Sequence, residues 1–345
     1  SIHPTICTRN SKINPKAKYV EATASSIDTH TNAITCESVV CEGNSCTINE
    51  FELNYDKLVY AVGAQTNTFG IPGVREYCCF LKQIEDAQKV RNAIINCFER
   101  AALPGLSEEE MRKILTFAVI GAGPTGVEFA SELRDFIEND GPKYYPELLK
   151  YTSIKVIEAS STVLMPFDKS LQEEAIKQLT RGVTPENDKL SPLLPKYYEF
   201  TELLLDSGVS EVKDDVILLN NGKTIPYGVA VWAAGNGPLP VTLQLIEDIT
   251  KSKSGRGASQ EEAQSVARGR LAIDPWLRVL GCGGDILSLG DCSCITAGQL
   301  PATAQVASQQ GEYLAKLLSN KYDMNPSLSD YIGSSNGDAA ASLPS

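Results

Sequence analysis

After a polar start over 1–18, apolar and polar positions alternate in places with the two-residue period of half-exposed strands. Residues 19–27 read as a strand, 28–32 as a turn, 33–36 as a returning strand and 47–53 as a third, with a polar loop over 39–46. The pattern then changes to short, unbroken apolar runs, as in strands buried on both faces. One covers 58–62 and ends at Gly63, a second covers 116–120 and a third, 229–232, exits through Ala233-Ala-Gly235-Asn236. Another run, 285–290, delivers Asp291 at its end, where a carboxylate can accept hydrogen bonds from sugar or ribitol hydroxyls.

Helical spacing appears at 81–102, where Ile84, Ala87, Val90, Ile94, Ile95 and Phe98 fall on one side before Pro104 and Gly105 stop the helix. Ser107-Glu-Glu-Glu110 reads as a capping box. Further helices are expected at 171–179 and 300–318, and Gln305 and Gln309, four apart, share a face of the latter. Short strands at 209–212 and 216–219 precede an Asn221-Gly222 hairpin turn. Residues 184–198 read as an inserted loop, 252–268 as an exposed polar loop and 320–345 as a disordered tail.

The chain is organised around residues 116–132. The apolar run ends in Gly121-Ala-Gly123-Pro124-Thr125-Gly126, a G-x-G-x-x-G placed between a strand and a helix reaching about Asp140. Gly121 allows the tight turn, Gly123 lets a pyrophosphate approach the backbone, and Gly126 lets helix and strand pack closely. Pro124 suits a first helical turn. The next strand, 153–157, ends at Glu158, which can accept from adenosine ribose hydroxyls and would repel a 2′-phosphate. Residues 141–151 lengthen this crossover. The run Gly63-Ala64-Gln-Thr-Asn67 falls at a strand's carboxyl end, where open α/β sheets bind ligands; a plain strand-end turn accounts for it equally well.

With 345 residues there is room for two domains. A net charge of −12, from 43 acids against 31 bases, argues against a nucleic-acid surface or a polybasic membrane patch. No apolar run approaches the ~18 residues of a membrane-spanning helix. Ten cysteines lack zinc-site spacing, with two histidines to assist them, so scattered reduced thiols and no metal are expected.

Together, Ala61-Val-Gly-Ala64 with Asn67-Thr-Phe-Gly-Ile-Pro-Gly-Val74, Gly121–Glu128, Val231-Trp-Ala-Ala-Gly-Asn236, Leu289-Gly-Asp291 and Pro301-Ala-Thr-Ala-Gln-Val-Ala-Ser-Gln309 resemble the type II (alternative, rotenone-insensitive) NADH:quinone oxidoreductases, over about residues 1–318. The resemblance implies an α/β flavoprotein reductase fold of two Rossmann-like dinucleotide-binding domains, the FAD domain incomplete. Residues 1–109 would supply the first part of the FAD domain and a linker helix, 110–238 the NADH domain, 239–320 the second part of the FAD domain, and 321–345 a disordered tail. Gly121, Gly123, Pro124, Thr125 and Gly126 would hold NADH phosphates and Glu158 its adenosine ribose, with Gly235 and Asn236 completing the cofactor sites. Gly63, Ala64, Gly290, Asp291 and Ala304 would border FAD. Glu128 would lie near nicotinamide and flavin, either in proton balance or as an acid complementing the helix dipole. Gln305 and Gln309 would meet quinone.

Such an enzyme oxidises NADH through FAD and reduces a quinone without pumping protons. The resemblance further implies a piece of a longer protein, lacking the family's first glycine fingerprint and its amphipathic anchor. The intact relative would sit peripherally on the mitochondrial inner membrane, with a plastid address as the alternative and a homodimer left open. The competing functions are another flavin-dependent NAD(P)H reductase and a non-catalytic NAD-binding module.

Overall fold

The computed structural model describes residues 17–42, 45–182, 198–251, 258–320, 322 and 324. The polar start, the insert over 184–197 and the tail from 325 lie outside the described residues. The chain divides into two compact units, Ser1–Ala64 with Pro238–Ser345, and Gln65–Gly237. Residues 65–109 therefore group with the glycine fingerprint, where the sequence reading put them with residues 1–64. The reason is that this stretch supplies a strand and a helix to the fingerprint's own sheet.

The first unit begins with an antiparallel meander, β1 (Thr23–Asp28), β2 (Ala33–Glu42) and β3 (Ser45–Asn54). Its first turn is held by the Asp28 carboxylate, which accepts the N–H groups of His30 and Thr31 and is thereby kept below the usual carboxylate range. The polar stretch expected as a loop over 39–46 is strand at 39–42 and at 45–46. It continues the β2–β3 ladder to a pairing of Glu42 with Ser45, because backbone pairing satisfies the chain whatever the side chains' polarity. β4 (Leu58–Tyr60) follows.

The second unit runs β5 (Gln65–Thr66), α1 (Val74–Tyr77), β6 (Cys78–Phe80), α2 (Ile84–Ala101), α3 (Glu108–Ile114), β7 (Thr116–Ile120), α4 (Pro124–Asn139), α5 (Gly141–Tyr144), a 3₁₀ turn over Pro146–Tyr151 and β8 (Ser153–Ile157). It continues with α6 (Lys169–Leu179), β9 (Thr201–Leu204), β10 (Val209–Val212), β11 (Val216–Leu219), β12 (Thr224–Pro226), β13 (Val229–Trp232) and β14 (Asn236–Gly237). Five parallel strands form one sheet in the order β6-β13-β7-β8-β9. β6 and β9 are too short and too mixed in composition to show in the sequence pattern.

One face of this sheet is covered by α2 and α4, whose Val90, Ile94, Phe98, Ala130, Leu133 and Ile137 bury against Phe117 and Val119. Ile84 and Ala87, expected on the inner face of α2, are exposed. Arg134 is buried in α4, where it pairs with Glu138 and donates to the Leu179 carbonyl at the end of α6. The other face carries the β10–β12 meander, with Val212, Ile217 and Leu219 against Ala118, Ile120 and Trp232.

The chain then returns to the first unit with α7 (Pro240–Lys251), α8 (Ala258–Ala267), β15 (Leu271–Ile273), β16 (Ile286–Ser288), a 3₁₀ turn over Gly290–Cys292, β17 (Ser293–Ile295) and α9 (Ala304–Ser319). Gln244 of α7 clamps Ile27 of β1, accepting its N–H and donating to its carbonyl. The exposed loop expected over 252–268 is helical from Ala258. Gln260 and Ala267 of this helix are buried, and Gln260 accepts the Ala272 N–H. Polar composition concealed a helix docked through its amides. α9 starts at Ala304, where Thr303 caps it by accepting the Val306 N–H, and not at Leu300, since Pro301 precedes the cap.

Candidate nucleotide-binding sites

In the second unit the turn after β7 is built by its glycines. Gly121 has φ 104°, and a Cβ there would lie 2.9 Å from Ala234. A Cβ on Gly126 would overlap the Gly121 carbonyl oxygen, so the helix can start this close to the strand only with glycine. Gly123 is the reverse case, with no atom within 4 Å of a Cβ position, so its backbone faces open space. It caps α4 without a side-chain acceptor, and Pro124 follows in the first turn. Among the described residues nothing accepts the N–H groups of Gly123, Thr125 or Gly126. Aligned N–H groups at a helix N-terminus beside an open glycine fit a phosphate.

Glu158 lies at the end of β8, beside this turn. Its Oε2 accepts the Ala122 N–H at 2.6 Å, and its Oε1 accepts both the N–H and the hydroxyl of Ser160 at 2.8 Å. Gly121, Gly123 and Glu158 line one cleft of roughly 420 Å³, together with Phe69, Trp232 and Gly235, which is large enough for part of a dinucleotide. Gly235 (φ 72°) sits at the exit of β13, and Asn236 pairs with Thr66 in a short ladder of β14 with β5. Glu128 is exposed one turn into α4, as is Thr125 at the helix start.

In the first unit, β4 and β16 pair in parallel, so their carboxyl ends leave side by side. Tyr60 O accepts both the Leu289 N–H at 3.2 Å and the Ser288 hydroxyl at 3.0 Å. This brings Gly63 and Ala64 to the same edge as Gly290 and Asp291. Gly63 (φ 73°) has open space where a side chain would stand. Asp291 and the capped start of α9, Thr303 with Val306, line the same shallow cleft, with Ala304 exposed beside it. A carboxylate, an open glycine and a helix N-terminus at one sheet edge fit the sugar-alcohol and phosphate portion of a flavin nucleotide.

Gln305 and Gln309 are exposed on α9. Their neighbour Gln310 is buried, and its side-chain oxygen accepts the Gly290 N–H at 2.8 Å. Cys292 is buried under the Gly290–Asp291 turn. Its thiol is pushed up by burial, against donation from the Ser288 hydroxyl and the N–H groups of Gly63 and Val62. The sequence reading missed Gln310, Cys292, Ser160 and Phe69. Ser160, two residues after Glu158, carried the signal of a local side-chain turn, and Phe69 lies in one of the runs that carry the resemblance, which assigned it no role.

Residues 5–190, more than half of the chain, match the family described as pyridine nucleotide-disulphide oxidoreductase. The chain is 41% identical over 286 residues to "External alternative NAD(P)H-ubiquinone oxidoreductase B3, mitochondrial" of Arabidopsis thaliana, covering 82% of this chain and 44% of the relative. It is 38% identical to "Internal alternative NAD(P)H-ubiquinone oxidoreductase A1, mitochondrial" of Solanum tuberosum (92% and 56% covered) and 36% identical to a "Probable NADH dehydrogenase" of Dictyostelium discoideum (90% and 60%). The chain thus spans about half the length of the curated relatives it matches. Among solved structures, NDH2 from Plasmodium falciparum in complex with NADH superposes with a TM-score of 0.69 at 23% identity, covering 90% of this chain and 72% of that one. The same protein in complex with RYL-552 gives 0.62 at 27% identity, with 92% and 60% covered. The chain belongs to the pyridine nucleotide-disulphide oxidoreductase family and, within it, is similar to the alternative NAD(P)H–ubiquinone oxidoreductases.

Proposed function

We propose that the protein oxidises NADH through bound FAD and reduces a membrane quinone without pumping protons. The observation that carries this is the cradle of the second unit, with free N–H groups at the start of α4 beside a ribose-type carboxylate, in a chain similar to proteins named for NAD(P)H and ubiquinone. The unit 65–237 is the NADH-binding domain. Gly121, Gly123, Pro124, Thr125 and Gly126 hold the pyrophosphate, Glu158 the adenosine ribose, and Gly235 and Asn236 the far half. The other unit is the flavin domain, with Gly63, Ala64, Gly290, Asp291 and Ala304 at the ribityl-phosphate side. FAD, when bound, supplies two-electron chemistry that takes hydride from NADH and passes reducing equivalents to quinone.

The chain's own residues bind and orient the reactants and handle protons. Glu128 balances charge on the NADH side, and Gln305 and Gln309, neutral amides that can donate to a carbonyl, face quinone. Glu158 makes NADH the preferred nucleotide, although the relatives are named for NAD(P)H. The site of action is the mitochondrial inner membrane, bound peripherally, by analogy with relatives named mitochondrial. Among the described residues no helix is long and apolar enough to cross a membrane.

Visible absorbance of the purified protein and its turnover of NADH with a short-chain quinone test this reading. A yellow protein that reduces the quinone supports it. A yellow protein that reduces a disulfide or an iron–sulfur protein and leaves quinone untouched would overturn it.

A further inference from the structure

Phe69 is a large aromatic side chain that is 61% exposed, in a stretch where its neighbours Thr68 and Val74 are buried. Its backbone is in the left-handed region, φ 52°, which bulky residues rarely occupy. The surroundings hold it there. Asn67 Oδ1 accepts the Phe69 N–H at 2.8 Å, Asn67 O accepts the Trp232 indole N–H at 3.1 Å, and Asn67 N donates to Gly235 O at 3.1 Å. The ring leans on Trp232, with centroids 6.4 Å apart at 54°, and its edge fills the space where a Cβ on Gly235 would stand, 2.7 Å away. A strained backbone that presents an apolar ring to solvent gains little packing for its cost, and such outliers concentrate at ligand sites.

The position of the ring says which part of a ligand it meets. In the order β6-β13-β7-β8-β9, the phosphate turn follows β7 and Glu158 ends β8 on one side of it. Phe69 packs at the exit of β13, on the other side of β7, and lines the same cleft as Gly123 and Glu158. A dinucleotide with its adenosine ribose on Glu158 and its pyrophosphate on the turn extends its second half over β13. We infer that Phe69 is the aromatic wall for the nicotinamide half of the bound dinucleotide, and that Asn67 and Gly235 hold its ring in place. This rests on the NADH reading of the cleft.

Calorimetric titration of the whole chain with NADH and with ADP-ribose, which keeps the adenosine and pyrophosphate and lacks nicotinamide, tests it. Phe69→Ala should weaken NADH by about tenfold or more and ADP-ribose by less than about twofold, the scale of one lost aromatic–ring stack. Phe69→Tyr should restore NADH binding. Phe69→Gly, which relieves the positive φ as it gives up the ring's contact with Trp232, should melt close to the wild type while binding NADH poorly, a combination that a purely packing role does not produce. Equal losses for the two ligands, or unchanged NADH affinity in Phe69→Ala, would each overturn the assignment. Wild-type chain that binds neither ligand would remove the NADH reading itself, and this inference with it. NADH binding that ignores Phe69 would remove the inference alone.

Discussion

The Glu158 carboxylate accepts the Ala122 N–H, so the acid that ends β8 is fastened to the middle of the glycine turn that ends the neighbouring strand, β7. Three protein donors occupy its two oxygens. A carboxylate has about four acceptor positions, which leaves one for a ribose hydroxyl and none that welcomes a second anion.

Replacing Glu158 by Gln removes the charge and turns an amide N–H₂ toward one set of donors. Stability should fall by about 1–2 kcal/mol, because a buried donor loses its acceptor. The ratio of NADH to NADPH affinity should narrow by about 1–3 kcal/mol, the scale of a charged hydrogen bond plus relieved repulsion. Titration of both nucleotides into both proteins measures this. If the ratio stays fixed, Glu158 is only a clasp for the turn.

Gly123 and Gly126 should separate binding from folding. A methyl at Gly126 runs into the Gly121 carbonyl, so Gly126→Ala must displace α4 from the sheet, costing about 3 kcal/mol or more and a clear drop in melting temperature. A methyl at Gly123 meets nothing within 4 Å, so Gly123→Ala should cost no more than about 1 kcal/mol. It should nevertheless block the approach of phosphate and weaken NADH by about tenfold or more, as a misplaced charged hydrogen bond does. Similar melting temperatures for the two variants would contradict these separate roles.

The glycine turn and its acid were legible because their chemistry is local. Gly121, Gly123 and Gly126 owe their places to backbone geometry over six residues, and Glu158 follows directly from the adjoining strand. Residues whose role depends on distant neighbours were not legible. Gln260 and Gln310 look like any solvated helix amide until β15 and the Gly290 turn arrive beside them. Phe69 stands in the sequence as one residue of the Gly- and Pro-containing run 67–74, and only the fold sets its ring against Gly235, more than 160 positions away. The polar ladder of 39–42 with 45–48 was missed for another reason, since backbone pairing carries no hydrophobic signature.

Alkaline pH should destabilise the fold through thiols that are buried (Cys78, Cys97) or partly buried (Cys282). Burial pushes Cys97 up to about 11 and Cys78 and Cys282 up to about 12, from an ordinary value of 9.0. The unfolded chain therefore loses these protons first. The stability the neutral thiols provide is intact below about pH 9 and is lost as pH rises toward 11–12. Denaturant midpoints under reducing conditions should be level with respect to these groups from pH 7 to 8.5 and fall above about pH 9. Cys282→Ala should flatten that alkaline limb. A limb of unchanged steepness would show that Cys282 does not contribute to it.

Three glutamines of α9 should divide into two kinds. Gln310 is buried and accepts the Gly290 N–H, so it holds the turn that presents Asp291. Gln310→Ala leaves that donor without a partner and should cost about 1–3 kcal/mol of stability, with weaker flavin retention because the Asp291 carboxylate loses its fixed position. Gln305 and Gln309 point to solvent, so replacing both by Ala should change stability by about 0.5 kcal/mol or less at each site. In the flavin-loaded protein their loss should slow the reoxidation of flavin by quinone while its reduction by NADH, followed by stopped-flow absorbance, proceeds at the wild-type rate. If the double variant slows both half-reactions equally, these residues support the helix and do not meet quinone. If Gln310→Ala retains flavin and melts with the wild type, the Gly290 turn does not need its amide, and Asp291 is held by other means.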